Sequence, residues 1–466
     1  MRDRGRWIRA PQKAPKSLVA GEGVVILMYR PKIEALRDEA VKSLQQEKLQ
    51  KQLAYVMATS AFYRRKFDEA GISVGHAGEP FEFYRIPFTE KDELRRSQVE
   101  SPPLGDYQAA PSLDVIRVHS SSGTTGRPSY VGLTRKDAEM WTELAARAIY
   151  ATGVRREHRV VLGFNLSFFS GGMATAYAIQ AIGATLIPVG TGASERAMAS
   201  LVDLKANYLA ATPSYLRYLA EYLTKRGIDA AALGVEGIHV GGEPGGGIPH
   251  LRQQMENTWA SPVREAMGNA DMAPLIFAEC GWGQGMHFIA PDYVLPEVID
   301  PDTLEPLPLE TGVKGELLYT SLERDCSPLV RFRTHDYVSV TSEPCDCGRT
   351  GFRIRCIGRT DDMLIVLGVN VFPSAVRDVV AGLWPKTSGE ILIEVPDDGP
   401  RVEPPLKIKV ERGPKNSDPE LLRHEVEQVI RQKLIVPSRV EVVAAGALQR
   451  HEGKTPLVRR LPKSGT

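Results

Sequence analysis

Apolar positions along this chain change their period several times, and each change predicts a different element. From Pro31 onward Leu36, Ala40, Leu44, Leu49, Leu53 and Val56 recur near helical spacing between charged residues, which predicts helix. Residues 60–110 lose that period and carry Pro80, Pro87, Pro102 and Pro103, so they read as mixed and loop-rich. Between 111 and 340 short apolar runs, among them 160–164, 184–189 and 238–242, alternate with Gly-rich turns and helical stretches. Strands alternating with helices predict α/β layers with a partly parallel sheet.

The texture changes again near 357–359. Leu364, Ile365 and Val366 lead to a turn at Gly368, and Ile391, Leu392 and Ile393 make another strand candidate. Residues 406–410 (Leu-Lys-Ile-Lys-Val) alternate with period two, the mark of a half-buried strand. A helix is predicted over 419–434: Pro419 opens it, Ser417 and Glu420 have capping-box spacing, and Leu422, Val426, Val429 and Ile430 form its apolar stripe. The expected fold class is α/β, with a large multilayered N-terminal domain and a small α+β C-terminal domain of about 108 residues.

Composition narrows the function classes. The 466 residues carry 58 Lys plus Arg against 57 Asp plus Glu, and a net charge of +1 argues against a dedicated nucleic-acid binder. No apolar run approaches the roughly 18 residues of a membrane span. The first twenty residues are basic (Arg2, Arg4, Arg6, Arg9, Lys13, Lys16) and lack the apolar core of a signal peptide, so 1–30 is expected to be a basic arm. Five cysteines are too few, and odd in number, for a disulfide framework, which points to a reducing, cytoplasmic compartment.

The sharpest local feature is residues 119–128, His-Ser-Ser-Ser-Gly-Thr-Thr-Gly-Arg-Pro. Glycines allow close backbone approach, amides and hydroxyls donate to phosphate oxygens, and Arg127 supplies charge. The GK[ST] ending of a P-loop is absent, and a solvated Ser/Thr/Gly linker has the same composition. Residue order distinguishes the two. The run from Ser121 through Ser122, Gly123, Thr124, Thr125, Gly126 and Arg127 to Pro128 resembles the phosphate loop of the adenylate-forming superfamily of acyl-CoA synthetases and adenylation domains. Residues 60–67 (Ser-Ala-Phe-Tyr-Arg-Arg-Lys-Phe) and 86–92 (Ile-Pro-Phe-Thr-Glu-Lys-Asp) are similar to stretches of its phenylacetate–CoA ligase-like branch. The resemblance covers nearly the whole chain. It implies a large domain over 31–357 that binds ATP and an aryl acid, a hinge at 358–362, and a mobile small domain over 363–466.

Further motifs follow in family order. Gly241, Gly242, Glu243 and Pro244 resemble the adenine-side turn, with Gly241 also facing substrate. Met267-Gly268-Asn269-Ala270-Asp271 stands where relatives carry Tyr-Gly-x-Thr-Glu. The resemblance makes Met267 a substrate neighbour, Asn269 and Ala270 nucleotide contacts, and Asp271 a Mg²⁺ ligand one methylene shorter than usual. Ala270 lacks the hydroxyl that the family's Thr offers to phosphate. Residues 331–336 (Arg-Phe-Arg-Thr-His-Asp) imply that Asp336 accepts from the ribose hydroxyls, with His335 in place of a Gly and expected to pack or lie on the surface. Residues 358–363 imply that Arg359 reaches the nucleotide and Asp361 is the hinge pivot. Residues 450–454 (Arg-His-Glu-Gly-Lys) resemble the segment bearing the catalytic lysine, here Lys454, whose charge offsets that developing as a carboxylate attacks the α-phosphate.

The resemblance also places Phe164 and Phe169 in the acyl pocket, where aromatic walls suit an aryl ring. Cys280, His287, Cys345 and Cys347 offer three soft thiolates and an imidazole, the donor set of a closed structural Zn²⁺ site, although unliganded buried cysteines are also common. A subset of the branch carries zinc at similar positions. The implied activity is an ATP- and Mg²⁺-dependent ligase that converts an aromatic acid (an arylacetate or benzoate) to acyl-AMP and passes the acyl group to coenzyme A. A relative's variation, transfer to an amine or hydroxyl in a natural-product pathway, stays open. The expected partners are the aryl carboxylate and coenzyme A, with no nucleic acid, no membrane, and the homodimer frequent in this branch.

Overall fold

The computed structural model describes residues 28–72, 83–121, 129–168, 170–367, 369–396, 400–415, 418–449 and 456–461. Its centre is a twelve-stranded sheet. Five strands, in spatial order Thr185–Pro188, Arg159–Leu162, Tyr208–Ala211, Gly237–Val240 and Val263–Asn269, run parallel, and the others continue antiparallel from Ala273–Glu279 onward. The predicted partly parallel α/β layers are therefore present. The inner strands of the parallel part are covered on both faces: Tyr208–Ala211 and Gly237–Val240 are buried at every position, whereas the end strand Thr185–Pro188 is not.

Helices close the faces. Arg135–Ala151 opens on a capping box in which Thr134 and Asp137 satisfy each other's backbone amides, and it buries Trp141, Leu144 and Ile149. The helix predicted from Pro31 is two pieces, Pro31–Glu34 and Asp38–Thr59. In the second, Leu53 and Val56 are buried and Gln52 exchanges hydrogen bonds with the Arg324 backbone (2.8 and 2.9 Å).

A separate apolar cluster, drawn entirely from Leu364 to Val440, forms the core of a C-terminal domain. Its four-stranded sheet includes Thr387–Pro396 and Leu406–Arg412, the second alternating buried and exposed over its first residues as its sequence period requires. Helix Pro419–Leu434 covers this sheet with Leu422, Val426 and Ile430. Its cap differs from the expectation. Asp418 is the N-cap, accepting from the amides of Glu420 and Leu421 at 2.9 and 3.0 Å, because a carboxylate one residue before Pro419 reaches both free donors. Ser417 lies outside the described residues. No helix among the described residues is long and apolar enough to cross a membrane.

Candidate active site

In an open parallel sheet, ligands collect beyond the carboxyl ends of the strands. Phe164 follows strand Arg159–Leu162 at that edge, and Gly241 follows Gly237–Val240. Phe164 is buried, its ring meeting His239 edge to face at 5.9 Å. Gly241 has no room for a side chain, since a Cβ there would lie 2.7 Å from the Ala266 carbonyl oxygen. Gly242 has φ +85°, the left-handed conformation a glycine adopts without strain. Glu243 turns toward helix Pro213–Thr224 and accepts from the Ser214 amide at 2.6 Å, where the helix dipole favours an anion; Pro244 is exposed.

The strands Val263–Asn269 and Ala273–Glu279 form a hairpin that presents the 267–271 segment. Met267 packs against the main core, Ala270 sits in the turn, and the Asn269 side chain accepts from the Asp271 amide at 2.8 Å. The Asp271 carboxylate is buried and already engaged: Lys91 Nζ lies 2.9 Å from Oδ2, and Ser129 Oγ donates to Oδ1 at 2.7 Å. Ser129 also pairs with Ser121, amide to carbonyl at 2.9 Å and hydroxyl to hydroxyl at 2.9 Å. The phosphate-loop candidates Ser122, Gly123, Thr124, Thr125, Gly126 and Arg127 lie outside the described residues, as do Phe169 and Lys454. The two residues that bracket the loop are thus pinned together on Asp271.

A second corner forms on strand Phe332–Thr341. Asp336 lies 3.3 Å from Arg359 Nη1, and Arg359 forms a two-pronged pair with Asp361 (2.9 and 2.6 Å). His335, with φ +61°, occupies a backbone position that suits the glycine its relatives carry. Its ring packs between two carboxylates, 3.3 Å from Glu90 and 3.6 Å from Glu316. Burial disfavours a charged imidazole, yet hydrogen bonds to Glu316 and Glu90 outweigh it and raise His335 to about 9.

Glu90 and Lys91 join the two corners. Glu90 caps helix Lys91–Glu100 and reaches Arg333 and His335, while Lys91 reaches Asp271. Glu90 and Lys91 lie in the 86–92 stretch that carries the resemblance, but no motif assigns a role to Lys91 or Ser129. Their only sequence signal was position, Ser129 closing the loop and Lys91 opening a helix.

The four metal-ligand candidates converge. Cys280 follows strand Ala273–Glu279, His287 lies in Met286–Phe288, and Cys345 and Cys347 sit in the turn before Arg353–Arg359. Their donor atoms all lie within 4.8 Å of one another. The Cys280–Cys345 sulfur separation is 3.7 Å and that from Cys347 Sγ to His287 Nε2 is 3.4 Å, too long for a covalent bond. Tetrahedral zinc with Zn–S of about 2.3 Å and Zn–N of about 2.0 Å requires edges of about 3.8 and 3.5 Å. The donor set and its spacing therefore fit zinc. Hydrogen bonding from Cys280, then from His287, holds Cys347 below the usual thiol range.

Comparison with known proteins agrees with this geometry. Residues 25–322 match the AMP-binding enzyme family and residues 368–460 the AMP-binding enzyme C-terminal domain. The chain is 38 % identical to a phenylacetate–coenzyme A ligase of Thermus thermophilus, covering 82 % of this chain and 84 % of that protein. It is 31 % identical to one of Aromatoleum evansii over 90 % and 93 % of the two chains. Among solved structures, a 2-hydroxyisobutyryl-CoA ligase in the postadenylation state matches with TM-score 0.86 at 27 % identity, covering 96 % of this chain and 94 % of that one. The same ligase in the thioesterification state, with the same coverage and 28 % identity, matches with TM-score 0.69. The chain belongs to the AMP-binding enzyme family, on its phenylacetate–CoA ligase-like branch.

Proposed function

We propose that the protein is an AMP-forming acid–thiol ligase that activates an aromatic carboxylic acid and transfers it to coenzyme A. The substrate carboxylate attacks the α-phosphorus of ATP and pyrophosphate leaves; the coenzyme A thiolate then attacks the acyl carbon and AMP leaves. The observation that carries this reading is the junction at Glu90 and Lys91, which fastens the Asp271 corner at the loop neck to the Asp336–Arg359 corner. Asp336 is the ribose acceptor and Arg359 its cationic neighbour. Asp271 would hold Mg²⁺ in place of Lys91, and the ion would screen the ATP phosphates. Phe164 and Phe169 wall the aryl ring, and Gly241 and Met267 border it. Gly242, Glu243, Pro244, Asn269 and Ala270 line the nucleotide side. Asp361 is the hinge pivot within 358–362, and Lys454 comes from the small domain to the α-phosphate. The Cys280, His287, Cys345 and Cys347 site holds zinc as a staple between loops. The same branch extends the proposal to a homodimer in the cytoplasm, where these thiols stay reduced.

The test uses Mg-ATP and a panel of arylacetates, benzoates and 2-hydroxyisobutyrate, with and without coenzyme A. Pyrophosphate and acyl-CoA are expected with an aryl acid. Acyl-AMP without thioester redirects the search to amine or hydroxyl acceptors, and no pyrophosphate with any acid removes the reading. Lys454→Ala is expected to slow acyl-AMP formation by about 10²–10³ while sparing thioester formation from supplied acyl-adenylate. Near-normal ATP–pyrophosphate exchange in that variant overturns the role of Lys454.

A further inference from the structure

The two domains meet along a seam where helices Pro213–Thr224 and Pro249–Trp259 face helix Pro373–Ala381 and strand Thr387–Pro396. Two glycines make the approach close: a Cβ at Gly382 would lie 3.1 Å from His250, and one at Gly389 3.3 Å from Leu251. Within this seam Arg217, on the large-domain helix, crosses to the small domain. Its guanidinium pairs through Nη1 with the Glu390 carboxylate and donates from Nη2 to the Ser388 carbonyl at 2.7 Å. The Glu390 side chain is 6 % exposed and that of Arg217 16 %, so salt and water screen this pair far less than a surface one.

A third side chain makes the contact releasable. Arg377, 2 % exposed, belongs to the small domain and donates to the same Glu390 at 3.1 Å. Breaking a buried pair by removing one partner is normally strongly destabilising, because the other charge is stranded. Here Glu390 keeps Arg377, a side chain of its own domain, wherever the small domain turns, and the partly exposed Arg217 is not its sole counter-charge. The two TM-scores supply the second observation. They come from one ligase at near-equal identity and coverage, 0.86 in its postadenylation state and 0.69 in its thioesterification state, so the whole-chain match is better to the former.

We propose that Arg217 is a positioning residue: with Glu390 it latches the small domain in the placement that serves acyl-AMP formation, and its release permits the turn to thioester formation. The proposal rests on the two-step ligase reading above. Its test compares wild type, Arg217→Met and Arg217→Lys in the full chain, using the acid that the panel identifies. One assay follows single-turnover pyrophosphate release, and the other follows thioester formation from supplied acyl-adenylate and coenzyme A. Arg217→Met is expected to slow the first step about tenfold, the lower end for a close, partly buried charge pair, and to leave the second equal or faster. Arg217→Lys, which keeps the charge but loses the fork, is expected to fall between. Both steps slowed equally, or neither slowed, overturns the latch and leaves the ligase reading standing. Wild type that releases no pyrophosphate overturns the ligase reading and the latch with it.

Discussion

At the Cys280, His287, Cys345 and Cys347 cluster, reactive donor atoms face one another, whereas at the Asp271 and Asp336 corners each carboxylate already holds a cationic side chain. Both arrangements gather residues from distant parts of the chain around one point. They differ in what completes them. Thiolates and an imidazole brought within 4.8 Å have an edge geometry that a soft cation completes. Lys91 on Asp271 and Arg359 on Asp336 compensate charge within the protein, and under the proposed function a bound nucleotide and its metal would displace or share them. Under the proposed roles the cluster is a staple built for permanence and the two corners are a turnover site built from exchangeable pairs.

Three measurements break or sharpen that contrast. The largest effect is expected at the cluster: Cys345→Ser should cost about 3–5 kcal/mol of stability, the upper range for a single substitution, and lower the zinc-to-protein ratio of material prepared without chelator. A zinc-free wild type, or an unchanged Tm in the variant, would remove the staple side of the comparison.

His335 should give a smaller, pH-dependent effect. Burial would raise Glu316, but hydrogen bonds from His335 and Arg333 take it down to about 2, while His335 itself is held at about 9. The native His335 value lies above the ordinary 6.5, so its stabilisation is complete below about 6.5 and is lost as pH rises through 9. The Glu316 share is present above about 4.5 and is lost as pH falls through 2. Discounted for a ring still about a quarter exposed to water, the His335 share is about 2 kcal/mol. Urea titrations of His335→Gln should show that loss near pH 6 and almost none near pH 10. Equal losses at both values would mean that charge plays no part.

The smallest effect separates an exchangeable partner from a permanent one. Lys91→Met should lower stability by about 1.5 kcal/mol without Mg²⁺, because among the described residues the Asp271 carboxylate then keeps only the Ser129 hydrogen bond. With Mg-ATP present the deficit should shrink below about 0.5 kcal/mol in thermal-shift assays. An identical deficit in both conditions would make Lys91 a fixed partner and erase the difference between the two sites.

Legibility in the sequence follows the range of the interaction. The runs at 160–164, 184–189 and 238–242 coincide with strands because short apolar stretches between turn signals favour extended structure, although Thr185–Pro188, at the end of the sheet, is only partly buried. The helix bounds 419–434 were also readable, from Pro419 at one end and the apolar stripe within. Its cap was less so, because Ser417 and Asp418 are both good caps and backbone geometry chooses between them. Candidate site residues could be named wherever a motif carried them. Ser129 had no such flag, and the stretch holding Glu90 and Lys91 assigned them no role, since a serine after a loop or a charged residue at a helix start is common everywhere.

The sequence by itself determined the period of each element, the change of texture near 357–359, and the order of motifs that marks the family. Tertiary structure alone decided which of those motifs touch. Ser129 meets Asp271 across 142 residues, Arg217 meets Glu390 across 173, and Lys91 meets Asp271 across 180. Local propensity acts over a turn or two of chain, whereas an ion pair depends on where the sheet and the domain seam bring two side chains. The chemistry was written residue by residue, and its pairing was set by packing within the large domain and, for Arg217, across the domain seam.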